Sequence, residues 1–98
     1  MSLKNFRTHT AAVEFYKDCK KTMLPAYIKD QLVRASMSVA LNLAEGAGKT
    51  SMKDRIRFYT MSLGSLREIQ SIIELEELNH LSSKADILGA SLYKLVNQ

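Results

Sequence analysis

The chain has 98 residues, 46% hydrophobic and 24% charged, with 14 Lys and Arg against 10 Asp and Glu for a formal net charge of +4. That length holds one domain, the whole of 1–98, and that composition excludes a disordered chain. One cysteine, Cys19, excludes an internal disulfide. No run approaches the roughly 20 apolar residues of a membrane span, and Met1-Ser2-Leu3-Lys4-Asn5-Phe6-Arg7 lacks the apolar core of an export signal; a cytoplasmic protein, neither exported nor membrane-spanning, is expected.

One proline, Pro25, and four glycines, Gly46, Gly48, Gly64 and Gly89, punctuate the sequence, and no alternating Val/Ile/Thr-rich segment occurs. The pattern is helical throughout. The first helix is predicted over about residues 9–22, capped by Thr8 or Thr10, with Val13, Tyr16 or Phe15, Cys19 and Met23 as its apolar stripe. Pro25 suits the first turn of a second helix over about 25–46, and Gly46 with Gly48 suits its exit.

Ser51-Met52-Lys53-Asp54, a hydroxyl with an acid three residues on, opens a third helix that runs to about Leu78 before Asn79 and is the longest. Ser82 or Ser83, the latter with Asp86 three residues on, opens the fourth, whose apolar positions are Ile87, Leu88, Leu92, Leu95 and Val96. Four helices with short connections predict an all-α, antiparallel up-and-down four-helix bundle.

The second helix carries more apolar surface than one core face requires. At about 100° per residue its polar positions, Gln31, Arg34, Ser38, Asn42 and Glu45, share a strip roughly 80° wide, while apolar residues fill about 240° of the rest. The third helix has two adjacent stripes, Ile56-Tyr59-Leu63-Leu66 and Phe58-Met61-Ile69-Ile72. A lone bundle would leave one stripe wet, so self-association through these two helices is expected; the alternative is a bundle that buries both unaided.

Arg34, Asn42 and Glu45 are read as partly buried register-setting residues, with Arg57 or Arg34 as the cation for Glu45; the alternative is a strip that faces water. Gly64, beside Ser65 inside the third helix, costs about 1 kcal/mol relative to alanine, which close approach to Ala40 or Ala44 would offset; a tolerated glycine is the other reading.

Charge is distributed unevenly. Residues 1–67 hold 12 basic and 5 acidic side chains, a net +7, and residues 68–98 hold 2 and 5, a net −3. Lys49, Lys53, Arg57 and Arg67 are the candidate phosphate contacts, the last three sharing a helix face with Thr60 and Ser71. A solvated, solubilising face is the competing reading. With aromatics scarce, binding would be led by the nucleic-acid backbone, with Tyr16, Tyr27, Tyr59 and Tyr93 mostly serving the core.

No catalytic constellation emerges, and a non-enzyme without cofactor is expected. Gly46-Ala47-Gly48-Lys49-Thr50 ends like a P-loop but has Leu43 where the first glycine belongs and follows a helix instead of a strand. Glu77-Leu78-Asn79-His80 has the Glu-x-x-His spacing of di-iron bundles but stands alone, so no metal is expected, and His80 is read as a loop or C-terminal capping residue. His9 falls near the start of the first helix, and Cys19 reads as a small packed hydrophobe.

The run Gln31-Leu32-Val33-Arg34-Ala35-Ser36-Met37-Ser38-Val39-Ala40-Leu41-Asn42-Leu43-Ala44-Glu45-Gly46, followed by Ser51, Arg57-Phe58 and Leu63-Gly64-Ser65-Leu66-Arg67-Glu68, resembles the four-helix-bundle proteins encoded in intervening sequences of bacterial 23S rRNA genes. That family is related to the accessory variability determinant of diversity-generating retroelements. The resemblance covers about half the chain and implies a homopentameric barrel whose basic surface contacts RNA or DNA, with a reverse-transcriptase-type partner in the retroelement case. The expectation is an oligomeric, RNA-binding accessory protein; a protein-interaction scaffold with no nucleic-acid role is the alternative.

Overall fold

Four helices follow one another along the chain: α1 (Arg7–Lys21), α2 (Ala26–Ala47), α3 (Met52–Leu75) and α4 (Asn79–Val96). This computed structural model describes Leu3 and residues 6–98; Met1, Ser2, Lys4 and Asn5, part of the N-terminal start read above, lie outside the described residues. α2 packs on α1 and α3, and α4 packs on α3 and α1, which closes an up-and-down bundle of 40 × 22 × 21 Å.

Each helix buries a seam that advances by alternating steps of three and four residues. The seams are Ala12-Phe15-Cys19-Thr22 on the first helix and its cap, Leu32-Ser36-Val39-Leu43-Gly46 on α2, Tyr59-Ser62-Leu66-Ile69-Ile73 on α3, and Leu81-Ala85-Leu88-Leu92 on α4. That step averages about 3.5 residues, the repeat that keeps one face of each helix turned to its neighbours in a bundle. On α1 the seam therefore takes Phe15 in preference to Tyr16 and, at its next step, Thr22 in place of Met23, which is 90% exposed. On α3 it draws on both of the stripes read from the sequence, leaving Phe58 half-buried and Met61 exposed.

The helix starts divide into those set by capping and those set by burial. Ser51 caps α3 as predicted, its Oγ accepting the Asp54 N–H at 3.1 Å, and Pro25 immediately precedes α2 with its carbonyl accepting from Ile28 and Lys29. α1 begins two residues ahead of its predicted start, without a hydroxyl cap. Phe6, at the cap position, is buried with its ring edge-on to Tyr59 at 6.1 Å, and that anchor outweighs the choice between Thr8 and Thr10.

α4 begins at Asn79, so Ser82 and Ser83 lie inside it. The chain leaves α3 through Glu77 at φ 55°, the left-handed turn residue, with Glu77 N–H donating to the Glu74 carbonyl and Leu78 N–H to the Ile73 carbonyl at 2.9 Å. That turn buries Leu78 and then Leu81, and the burial starts α4 before any serine is reached. His80 consequently sits in the first turn of α4 instead of capping α3, with Nε2 3.2 Å from Thr22 Oγ1.

The α2–α3 contact is close at three levels. Ser62 Oγ donates to the Val39 carbonyl at 2.8 Å, Ser38 Oγ meets Ser65 Oγ at 2.9 Å, and Gly46 faces the Tyr59 ring. A β-carbon on Gly46 would stand 2.6 Å from Tyr59 Cε1 and 3.2 Å from the Arg55 carbonyl oxygen. Gly64, for which the sequence left close approach and a tolerated glycine both open, has nothing within 4 Å of its missing β-carbon in the single chain; the small residues that let the helices meet are Gly46, Ser62 and Ser65.

The two glycines should respond oppositely to alanine. Gly46→Ala is expected to lower stability by roughly 1–3 kcal/mol through overpacking, and Gly64→Ala to raise it by up to about 1 kcal/mol through helix propensity, as read from denaturant midpoints. Burial pushes the Cys19 thiol up to about 12, so at a pH of about 8 it remains protonated. An aromatic disulfide reagent should leave the folded protein unmodified and react fully once denaturant is added; rapid reaction under native conditions would contradict the packing of α1 on α2.

Candidate nucleic-acid interface

The connection from α2 to α3 forms a clamped corner. Gly48 N–H donates to the Ala44 and Glu45 carbonyls, Lys49 N–H donates to the Gly46 carbonyl at 3.1 Å, and the half-buried Arg55 donates through Nε to the Lys49 carbonyl at 2.8 Å. With the Ser51 cap on one side and Tyr59 packed on Gly46 on the other, the backbone that carries Lys49 and Lys53 is tied down at both ends.

Two of the four predicted phosphate contacts converge here on a third side chain. Lys49 Nζ lies 5.1 Å and Arg57 Cζ 4.7 Å from the centre of the Phe58 ring. Lys49 is also 3.6 Å from Glu45, and Arg57 is 3.9 Å from Asp54. Both ion pairs are solvent-accessible, so each contributes no more than about 1 kcal/mol and leaves the cation free to exchange partners.

Lys53 stands exposed in the first turn of the same helix. Lys53, Arg55 and Arg57 all lie in the first two turns of α3, the positive end of its dipole, where acidic side chains are the stabilising choice.

Arg67 lies elsewhere. Ten residues beyond Arg57, it is about 15 Å further along the helix, and its Nη1 donates to Gln70 Oε1 at 2.9 Å, with Gln70 Nε2 in turn donating to Asp86 Oδ1 on α4 at 3.2 Å. That chain directs Arg67 towards α4. Lys49, Lys53 and Arg57 therefore make one corner, and Arg67 is a separate cation on the same helix.

Of the residues read as register-setting, Asn42 is half-buried, and its hydrogen bonds stay within α2 instead of reaching a neighbouring helix. Its Nδ2 donates to the Ser38 carbonyl at 2.9 Å and to Ser38 Oγ at 3.1 Å, which orients the hydroxyl that meets Ser65 on α3. Arg34 and Glu45 are exposed in this chain, and the cation beside Glu45 is Lys49, four residues on, in place of Arg57 or Arg34. Their helical positions point between α3 and solvent. Arg34 lines an open concavity of about 250 Å³ with Gln31, Ser38, Ser65 and Glu68.

From the sequence Phe58 falls in an apolar stripe; the structure instead sets it beside two of the candidate phosphate contacts. The available signal was its place next to Arg57 at the start of a helix, off the seam that passes through Tyr59. Beside it, Leu41, Ala44, Glu45, Gly48 and Lys49 line a second open concavity of about 440 Å³.

Comparison with curated proteins and with solved structures gives no match. The profile of a family described as the 23S rRNA-intervening sequence protein, by contrast, matches residues 4–97, all four helices and nearly the whole sequence. The chain belongs to the 23S rRNA-intervening sequence protein family.

Proposed function

We propose that this protein is a non-enzymatic, self-assembling accessory protein that binds RNA through the basic α2–α3 corner and the exposed face of α3. The observation that carries the reading is the convergence of Lys49 and Arg57 on Phe58, with Lys53 beside them at the positive end of the α3 dipole. A polyanion is the partner that gains most from such a field, because each phosphate neutralised releases condensed counterions. The family's description, which refers to an intervening sequence of 23S rRNA, supports RNA over other polyanions.

Self-assembly is supported by the outer face of the α2–α3 pair. Met37, Leu41 (58% exposed) and Met61 are large apolar side chains that the single chain leaves in water. Copies joined through this face would repeat the basic corner around the assembly. Five copies is the number implied by the family resemblance given above.

A scaffold without a nucleic-acid role, docking proteins such as a reverse transcriptase, is the second reading, favoured by the opposite end of the bundle. Tyr27 and Leu75, 72% and 75% exposed, lie there with Met23 near Glu74, Glu76 and Glu77.

Anisotropy titration of a labelled structured RNA should give an affinity that falls with salt. Lys53→Glu/Arg57→Glu should weaken binding at least about tenfold and flatten the salt slope by roughly 0.7–0.9 for each phosphate no longer neutralised. No binding at low salt by the wild-type assembly would put the scaffold reading first. Separately, Met37→Glu/Met61→Glu should reduce the mass in solution to that of one chain while helicity is retained; an unchanged mass would exclude this face as the contact.

A further inference from the structure

We infer that the α2–α3 corner is a seat for an unpaired nucleotide, with its base stacked on Phe58 and its flanking phosphates held by Lys49 and Arg57. The inference rests on the RNA-binding reading above and specifies which form of nucleic acid that site takes. Phosphate contacts alone would make the surface indifferent to strand pairing, because single strands and duplexes both present phosphates. A half-buried aromatic side chain within about 5 Å of two cations is a different arrangement.

Phe58 is the aromatic residue the fold leaves beside the basic corner. Tyr59, its neighbour, is buried against Gly46 and Phe6, whereas Phe58 falls off the seam and keeps part of its ring accessible. The groups over that ring are mobile side chains in exposed ion pairs, and such cation–π contacts are weaker than the stacking of a base on an aromatic ring. A base can therefore take the place of one cation, which then moves a few ångströms to the adjoining phosphate. The cation that moves gives up its exposed ion pair with Glu45 or Asp54, a contact of no more than about 1 kcal/mol, and gains a phosphate in its place.

The surroundings have room for the rest of the nucleotide. Lys49 is shared between the Phe58 contact and the open concavity of about 440 Å³, whose near end is apolar at Ala44 and bare at Gly48 and whose far end, at Leu41, belongs to the assembly face proposed above. Glu45 at its rim supplies an acceptor for a base amino group. A duplex cannot use this seat away from its ends, since its base faces are covered by neighbouring pairs; single-stranded loops and ends can.

The test compares a short labelled adenosine homopolymer RNA with the duplex it forms with its uridine complement, on the intact assembly at low salt. The wild type is expected to favour the single strand. Phe58→Leu, which keeps apolar volume but cannot stack, should weaken single-strand binding about five- to hundredfold while duplex affinity changes less than about twofold. Phe58→Tyr should restore the preference, and all three proteins should have the same mass in solution. Equal binding of both forms, unaltered by Phe58→Leu, would overturn the stacking seat and leave the RNA-binding reading standing; no binding of either form would overturn both.

Discussion

The close packing of α2 on α3 is the constraint on which the other features depend. Ser62 reaches the Val39 carbonyl, Ser38 meets Ser65, and Gly46 admits the Tyr59 ring, so the two helices are held at three levels by residues that are small or that satisfy one another. No large side chain could occupy these positions at the same separation. The buried hydroxyls are also the polar atoms that a core tolerates, because each has a partner: Ser62 on Val39, Ser36 on the Val33 carbonyl, and Thr22 on the Asp18 carbonyl. Hydrogen bonds of this kind add only about 1 kcal/mol each, whereas a buried group left unpaired would cost more than that. Ser62, whose bond crosses from α3 to α2, also fixes register between them, while Ser36 and Thr22 bond back within α2 and α1.

Fixed register is what gives the basic corner its shape. With Gly46 against Tyr59, the last turn of α2 and the first turns of α3 can be joined by only a few residues, and Arg55 closes the connection onto the Lys49 carbonyl. Phe58 precedes Tyr59 and so must point away from the seam on the side where Lys49 emerges. The arrangement of Lys49, Arg57 and Phe58 is thus a consequence of the helix packing. A slip of one residue between α2 and α3 would separate Lys49 from the Phe58 ring.

The fold was legible where local rules act alone. Ser51 with Asp54 and Pro25 ahead of α2 each mark a boundary through backbone chemistry that needs no neighbour, whereas α2 runs through Gly46 and ends at Gly48 in ordinary right-handed backbone at φ −83°. The starts of α1 and α4 were not legible because tertiary burial sets them: Phe6 anchors one and Leu78 with Leu81 the other, at positions where the nearest serines and threonines suggested later starts. The choice between Gly46 and Gly64 was illegible for a related reason. A glycine at a helix exit reads as a terminator and one inside a helix reads as a contact, yet the contact here is at the exit. Of the site, the cations were found by counting charge, but the departure of Arg67 towards α4 through Gln70 and Asp86 depends on a neighbour from another helix.

Charge and apolar surface on the same helix pair bear on one another. A single chain offers Lys49, Lys53 and Arg57 at its corner, and at physiological salt so few phosphate contacts would make only a weak, non-specific complex. Linking several corners in one assembly changes this without any new contact, since the second corner binds at the effective concentration set by the first. The apolar face of Met37, Leu41 and Met61 lies on the two helices that build the corner, so assembly through it would hold neighbouring corners at a fixed spacing. An assembly of that kind would favour RNA whose accessible segments match that spacing, and selectivity would come from the geometry of the partner more than from its sequence.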